Sequence, residues 1–187
     1  MNKKNYLLDL NNSKKSFIIY KSDKGFDLYT DFSKKIILNN KNINEFINKN
    51  TRLKSSHKET DLFIGFFGYE ILNNLIDVKI KKQKTTNFPK GIFYKPEKKI
   101  KLSNNLGCKK TRSSNPNDLF KININKKSYK VIFDKFKKKI KSGETYQIKI
   151  CTKYSNKSEI DALDFFCRLV KSNMAPEAFM IKDKDYS

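Results

Sequence analysis

The stretch Ser16-Phe17-Ile18-Ile19-Tyr20, followed by Ser22-Asp23-Lys24-Gly25 and then by Phe26, Leu28 and Tyr29, decides the architecture. A compact run of β-branched and aromatic residues reads as a strand. Asp, Lys and Gly after it supply turn chemistry, and the apolar pattern resumes as a second strand. Short strands joined this way predict an antiparallel sheet. Downstream, Ile43 to Ile47 predicts a short helix, and Asn48 to Thr60 a polar surface connection. Leu62-Phe63-Ile64-Gly65-Phe66-Phe67-Gly68-Tyr69-Glu70 is the most apolar stretch of the chain and predicts a buried strand. Its two glycines permit close backbone approach or a bend. Ile71, Leu72, Leu75 and Ile76 recur at helical spacing, and Phe88-Pro89-Lys90-Gly91-Ile92-Phe93-Tyr94 predicts a breaker before another short strand.

Leu102 to Pro116 is polar and rich in Asn, Ser and Lys, which predicts a linker or long loop. The domain expectation is therefore residues 1–101, a connection over 102–125, and a second region over 126–187. Tyr129, Ile132, Phe133, Phe136 and Ile140 form one apolar stripe at helical spacing, with Ser128 as expected N-cap and Gly143 as expected stop. Tyr146, Ile148, Ile150 and Thr152 alternate with Gln147, Lys149, Cys151 and Lys153, the pattern of a half-buried strand. Ser158, three residues before Asp161, opens a further helix with Leu163, Phe166 and Val170 inward. Asn173-Met174-Ala175-Pro176 breaks it, Ala178 to Ile181 predicts a strand, and Asp183-Lys184-Asp185 a turn. A strand returning from that turn is expected, so the natural structure is expected to continue past Ser187.

Composition narrows the function classes. The 187 residues are 37% hydrophobic and 13% aromatic, enough to bury a core. No run approaches the roughly 18–20 apolar residues of a membrane span, and no long apolar run follows Met1-Asn2-Lys3-Lys4, so a cytoplasmic, non-membrane protein is expected. Cys108, Cys151 and Cys167 lack close spacing and read as reduced structural thiols rather than a disulfide frame or zinc site. His57, the only histidine, sits in a polar stretch with no matched nucleophile or carboxylate beside it. The formal charge of +22 raises nucleic-acid binding. Against it, the basic residues are nearly all lysine, with arginine only at 52, 112 and 168, although arginine is favoured for bidentate phosphate and base contacts. The lysines are scattered in pairs and triplets among Asn, Ile, Phe and Tyr, as an A/T-rich coding bias would produce. Gly65 and Gly68 do not form a phosphate loop, which also needs Gly-Lys-Ser/Thr.

Several segments in order carry a family resemblance. Leu7-Leu8-Asp9-Leu10 with Ser16-Phe17-Ile18 is similar to the opening Leu-Leu-Glu-Ser and later Ser-Phe-Ile strand of the component I family of anthranilate and aminodeoxychorismate synthases. Gly65-Phe66-Phe67-Gly68-Tyr69-Glu70 resembles its Gly-x-x-Gly-Tyr-Asp/Glu segment. Ser142-Gly143-Glu144-Thr145-Tyr146-Gln147-Ile148 resembles the Gly-Asp-x-Phe/Tyr-Gln-Val stretch that opens the chorismate-binding domain, and Asn173-Met174-Ala175-Pro176 resembles Asn-Pro-Ser/Ala-Pro.

The resemblance implies an α+β amino-terminal domain packed with the start of a chorismate-binding domain. It implies a reaction adding an amine to chorismate, followed in anthranilate synthase by loss of pyruvate. A glutamine amidotransferase subunit would supply ammonia, and Mg²⁺ would bridge the substrate carboxylate to acidic side chains. The family's catalytic and metal-binding positions have no counterparts in this sequence, so no catalytic residue or metal ligand is assigned. Gln147 is read as structural. The family's regulatory tryptophan segments correspond to Leu8, Asp9 and Leu10 on one side and Asn173, Ala175, Pro176, Glu177 and Ala178 on the other. Leu10 replaces a serine and Glu177 an aromatic, while Asp9 keeps a carboxylate for an amino group. The Leu-Leu-Asp opening and Gly-Tyr-Glu favour anthranilate synthase, whereas Asn-x-Ala-Pro leans toward the aminodeoxychorismate enzyme. A non-catalytic binding module and a basic nucleic-acid binder are the other readings.

Overall fold

The structure, a computed structural model, describes residues 3–13, 15–50, 61–71, 89–102, 106, 120–155 and 161–184. It is an α+β fold with an antiparallel sheet. Contacts group the chain into two units, Met1–Lys109 with Ala162–Ser187, and Lys110–Asp161.

In the first unit, helix α1 (Lys3–Asn12) precedes a hairpin of β1 (Phe17–Ser22) and β2 (Gly25–Ile37). Gly25 lies at φ 108, a backbone conformation that glycine adopts without a Cβ penalty, so the turn expected at Ser22–Gly25 closes here. Helix α2 (Ile43–Asn50) extends the expected short helix. Strand β3 (Ile64–Phe67), a single 3₁₀ turn (Tyr69–Ile71) and the long strand β4 (Gly91–Leu102) follow. Far along the chain, α4 (Ala162–Asn173) and β7 (Ala178–Lys182) belong to the same unit. The sheet order is β3-β4-β2-β1-β7, all neighbours antiparallel.

Period-two alternation decides which face each side chain meets. Phe17 and Ile19 of β1 join Leu28, Leu102 and Met180 on one face, where Leu7 and Leu10 of α1 and Leu163, Phe166 and Cys167 of α4 cover them. The intervening Ile18 turns to the other face with Tyr29, Ile92 and Tyr94. Phe17, Ile18 and Ile19 are all 0% exposed, so the centre of the sheet is buried on both sides. A third cluster gathers Leu38, Ile43, Phe46, Ile71 and Phe93 under α2. β2 shifts register against β4 between Phe32 and Lys34, next to Asp31 at φ 54, and this bulge bends the strand beyond its pairing with β1.

The run from Leu62 to Glu70 is not the fully buried strand that its composition predicts. β3 is an edge strand, its residues are half-buried, and Phe67 is 50% exposed against Phe93 at 4.7 Å. An edge strand has one neighbour only, so apolar composition alone does not bury it. Leu72, Leu75 and Ile76, His57, Ser158 and most of the expected connections at 48–60 and 102–116 lie outside the described residues.

In the second unit, β5 (Lys121–Ile122) pairs with β6 (Tyr154–Ser155), and α3 (Lys126–Lys141) lies between them in sequence. The N-cap of α3 is Asn125, whose side chain accepts from the Ser128 amide at 2.8 Å, and not Ser128 itself. Lysines 126 and 127 are good helix formers and extend the helix back to that asparagine. Its end follows expectation. Gly143 lies at φ 76, its amide donates to Ile140 O, and the Glu144 amide donates to Lys139 O, a Schellman closure. The apolar stripe of α3 is solvent-facing, with Tyr129, Phe133 and Ile140 each over 40% exposed. The strand expected over Tyr146–Thr152 does not form. Tyr146 is 92% exposed and this segment pairs with no strand among the described residues, because alternation alone offers a face without the neighbour a ladder requires.

Cys151 is a free exposed thiol, but Cys167 is disulfide-bonded. The reading of reduced thiols is corrected there, since cross-linking depends on spatial proximity and not on spacing in the sequence.

A Cβ built on Gly65 would meet Ile92 O at 1.9 Å and Phe93 Cα at 2.7 Å. Gly65→Ala therefore forces β3 away from β4 and is expected to cost about 1–3 kcal/mol, read as a lowered urea midpoint. Gly143→Ala meets no atom within 4 Å and strains only its own backbone, so it is expected to cost less.

Candidate functional site

The segment leaving α4 is held by side chains from β1. Asn173 ends the helix, Met174 takes φ 48, and the chain then turns into β7, which aligns Ala178 with Lys21 and Phe179 with Tyr20. Lys21 Nζ donates to Ala175 O at 2.6 Å and to Pro176 O at 3.3 Å. Placing this cation just past the carboxyl end of α4 also favours the helix dipole. Tyr20 hydrogen-bonds the Glu177 carboxylate, and that bond raises the phenol above its ordinary pKa. The Ala175 and Pro176 carbonyls are thus occupied, while Asn173 and Met174 are exposed.

Of the residues matched to the tryptophan segments, Leu8 is half-buried on α1, Asp9 is exposed, and Leu10 is buried in the main core. Ala178 packs against the same core cluster as Leu10. Polar contacts run to different partners. Asn173–Ala178 is tied to Tyr20 and Lys21, whereas α1 is tied through Asn11, whose Oδ1 accepts from Lys182 Nζ at 2.9 Å. Lys21, Tyr20 and Lys182 carry no motif in the sequence that marks them; their roles follow from strand register.

Among the described residues, Asp183, immediately after β7, is a heavily bonded acid. Its carboxylate accepts from Ser16 Oγ at 2.6 Å, Tyr94 OH at 2.6 Å, the Lys184 amide at 2.7 Å, and Lys35 Nζ. Its side chain is 5% exposed. Burial alone would raise its pKa, but the hydrogen bonds from Lys35, Ser16, Tyr94 and the Lys184 backbone outweigh burial and hold it well below the carboxylate range. One side chain thereby joins the ends of β1 and β7 to β2 and β4. Sequence chemistry marked Asp183 only as a turn residue.

A cavity of about 310 Å³ opens in the first unit between the β1–β2 hairpin and α4, with Lys21, Phe26, Leu106, Val170 and Lys171 among its walls. Among the described residues no group of three or more His, Cys, Asp or Glu side chains could hold a metal ion, and no helix is long and apolar enough to cross a membrane.

The family model described as chorismate binding enzyme matches residues 3–187, both units included. The chain belongs to the chorismate-binding enzyme family. No curated protein matches it. Within this family member, the segments resembling the chorismate-domain opening and the Asn-x-Ala-Pro turn fall in different units. Gly143 and Glu144 close α3, and Asn173–Pro176 closes α4.

Because the folded pKa of Asp183 is depressed, its contribution to stability is present above the unfolded value of about 3.8 and is lost as pH falls below it. Asp183→Asn is expected to destabilise the fold at pH 7 by roughly 2–4 kcal/mol, since it removes the buried charge that accepts from Ser16, Lys35 and Tyr94 together. It should also flatten the loss of stability below pH 4, measured by urea unfolding at several pH values.

Proposed function

We propose that the chain is the amino-terminal, amino-acid-sensing part of a component I enzyme of the anthranilate synthase type, serving amine addition to chorismate in tryptophan biosynthesis. The family match over residues 3–187 supports the chorismate-using class. The observation that carries the finer reading is the order of segments, Leu7-Leu8-Asp9, Gly143-Glu144-Thr145-Tyr146-Gln147 and Asn173-Met174-Ala175-Pro176. Support comes also from the tethering of the last of these to β1 through Lys21.

In this reading L-tryptophan binds between Leu8, Asp9, Leu10 and the Asn173, Ala175, Pro176, Glu177, Ala178 segment. The exposed Asp9 carboxylate receives the amino group, and the exposed Glu177 adds negative charge. A glutamine amidotransferase subunit supplies ammonia in the cytoplasm, and chorismate is the substrate of the complete enzyme. Mg²⁺ would supply charge neutralisation at the substrate carboxylate. The described acids do not cluster in a way that fits it, so no step is derived through it. Catalytic roles are assigned to no residue of this chain. The second reading, an aminodeoxychorismate synthase component I, is favoured by the Asn-x-Ala-Pro form and by Glu177 in place of an aromatic.

Titration with L-tryptophan under thermal unfolding tests the sensing pocket. At a ligand excess of about 100 Kd, linkage stabilises by about 2.7 kcal/mol, which raises Tm by about 5 °C or more for a chain of this size. Asp9→Asn is expected to weaken binding roughly tenfold, through loss of a charge-assisted hydrogen bond. A folded protein that does not respond to millimolar tryptophan overturns the amino-acid-sensing pocket. Formation of anthranilate from chorismate, ammonia and Mg²⁺ by this chain alone would overturn its assignment as the sensing rather than the catalytic part.

A further inference from the structure

Phe26, Leu106 and Cys167 are buried members of the main core cluster, yet the space beside them is open. The cavity there, about 310 Å³, is an order of magnitude larger than the roughly 30 Å³ share of one water, and it reaches the lower bound of about 300 Å³ for small-molecule sites. Its inner wall is apolar, made by Phe26, Leu106 and Val170, and its rim carries Lys21, Lys171 and Asp23. Lys21 is already engaged with the Ala175 and Pro176 carbonyls. Lys171, in the last turn of α4, has no carboxylate partner among the described residues. None of the cavity's walls belongs to the residues assigned to tryptophan.

We propose that this cavity binds a small amphiphilic monoanion, an apolar ring or short hydrocarbon chain bearing one carboxylate. The apolar part seats on Phe26, Leu106 and Val170, and the carboxylate faces Lys171 with Lys21 beside it. Two features set the charge of the ligand. Two ammonium groups at the rim draw one negative charge, and the Asp23 carboxylate opposes a second, which disfavours phosphate dianions and dicarboxylates. The volume limits the apolar part to about one ring, since larger ligands occupy larger pockets. The site does not rest on the tryptophan reading, and either can fail without the other.

The probe is 3-phenylpropionate, titrated by calorimetry into the full chain at low salt, with 3-phenylpropanol as its uncharged counterpart. Saturable millimolar or tighter binding is expected for the acid, and binding about tenfold weaker for the alcohol. Val170→Trp fills the cavity and is expected to abolish binding with the circular dichroism spectrum retained. Lys171→Glu alters an exposed side chain and keeps the test decisive even where Val170→Trp does not fold; it is expected to weaken the acid about tenfold and leave the alcohol unchanged. Absence of saturable binding up to roughly 10 mM would overturn the site. So would equal binding of acid and alcohol, or full affinity in Lys171→Glu.

Discussion

The ladder between β1 and β7 is the constraint on which the first unit depends. Residues Phe17–Lys21 pair with Ala178–Lys182, and Ser16 bonds Asp183 across 167 positions of chain. Closing so long a loop costs chain entropy, but that cost grows only with the logarithm of loop length. The ladder recovers it by burying Phe17, Ile18 and Ile19 from both faces and by placing Met180 against α1 and α4. Asp183 completes the closure at one end and Lys21 at the other, where Lys21 anchors the turn that delivers β7. Pairing of this kind is non-local, and contacts of high sequence separation slow folding relative to local ones.

The lysine excess acquires a structural meaning from these contacts. With 41 Lys and Arg against 19 Asp and Glu, most cations have no acid to meet. Several that lie against the sheet bond neutral acceptors or aromatic faces instead. Lys21 takes two backbone carbonyls, Lys182 takes Asn11, and Lys98 lies 5.6 Å from the Tyr6 ring centre. Such bonds place a charge without burying an unpaired one, because the long stem packs while the ammonium reaches the surface. Among the described residues, Asp183 with Lys35 and Asp27 with Lys99 at 3.3 Å pair across the sheet, whereas Glu45 with Lys49 and Glu144 with Lys139 pair on helix α2 and at the end of α3. On this protein a basic composition is compatible with a β-sheet core and is not by itself a sign of nucleic acid.

Much of the fold was legible in local pattern. The Ser16–Tyr29 hairpin, the helix at Ile43, the inward Leu163, Phe166 and Val170, and the strand after Pro176 all formed near their expected places, because each carries its own periodicity or turn chemistry. Misreadings arose where a neighbour decides the outcome. Leu62–Glu70 is apolar enough for a central strand but lies at an edge, and Tyr146–Thr152 alternates like a strand without a partner to pair with. Asn125 took the capping role expected of Ser128, a local competition won by helix-forming lysines. Of the candidate site, the two flanking segments were marked by motif, whereas Tyr20, Lys21 and Asp183 were invisible, since a lysine or aspartate in a polar context has no signature.

The order of apolar and polar residues by itself determined the hairpin and the inward face of α4, because these follow from short-range periodicity, while the likeness to a chorismate-using family came from motif segments read in order. Only the tertiary structure decided that β7 lies beside β1, that Asp183 joins four strands, that Cys167 is cross-linked, and that a cavity opens behind Lys171. The physical reason is the same in each case. These features depend on which side chains share space across long stretches of chain, and no local pattern records that distance.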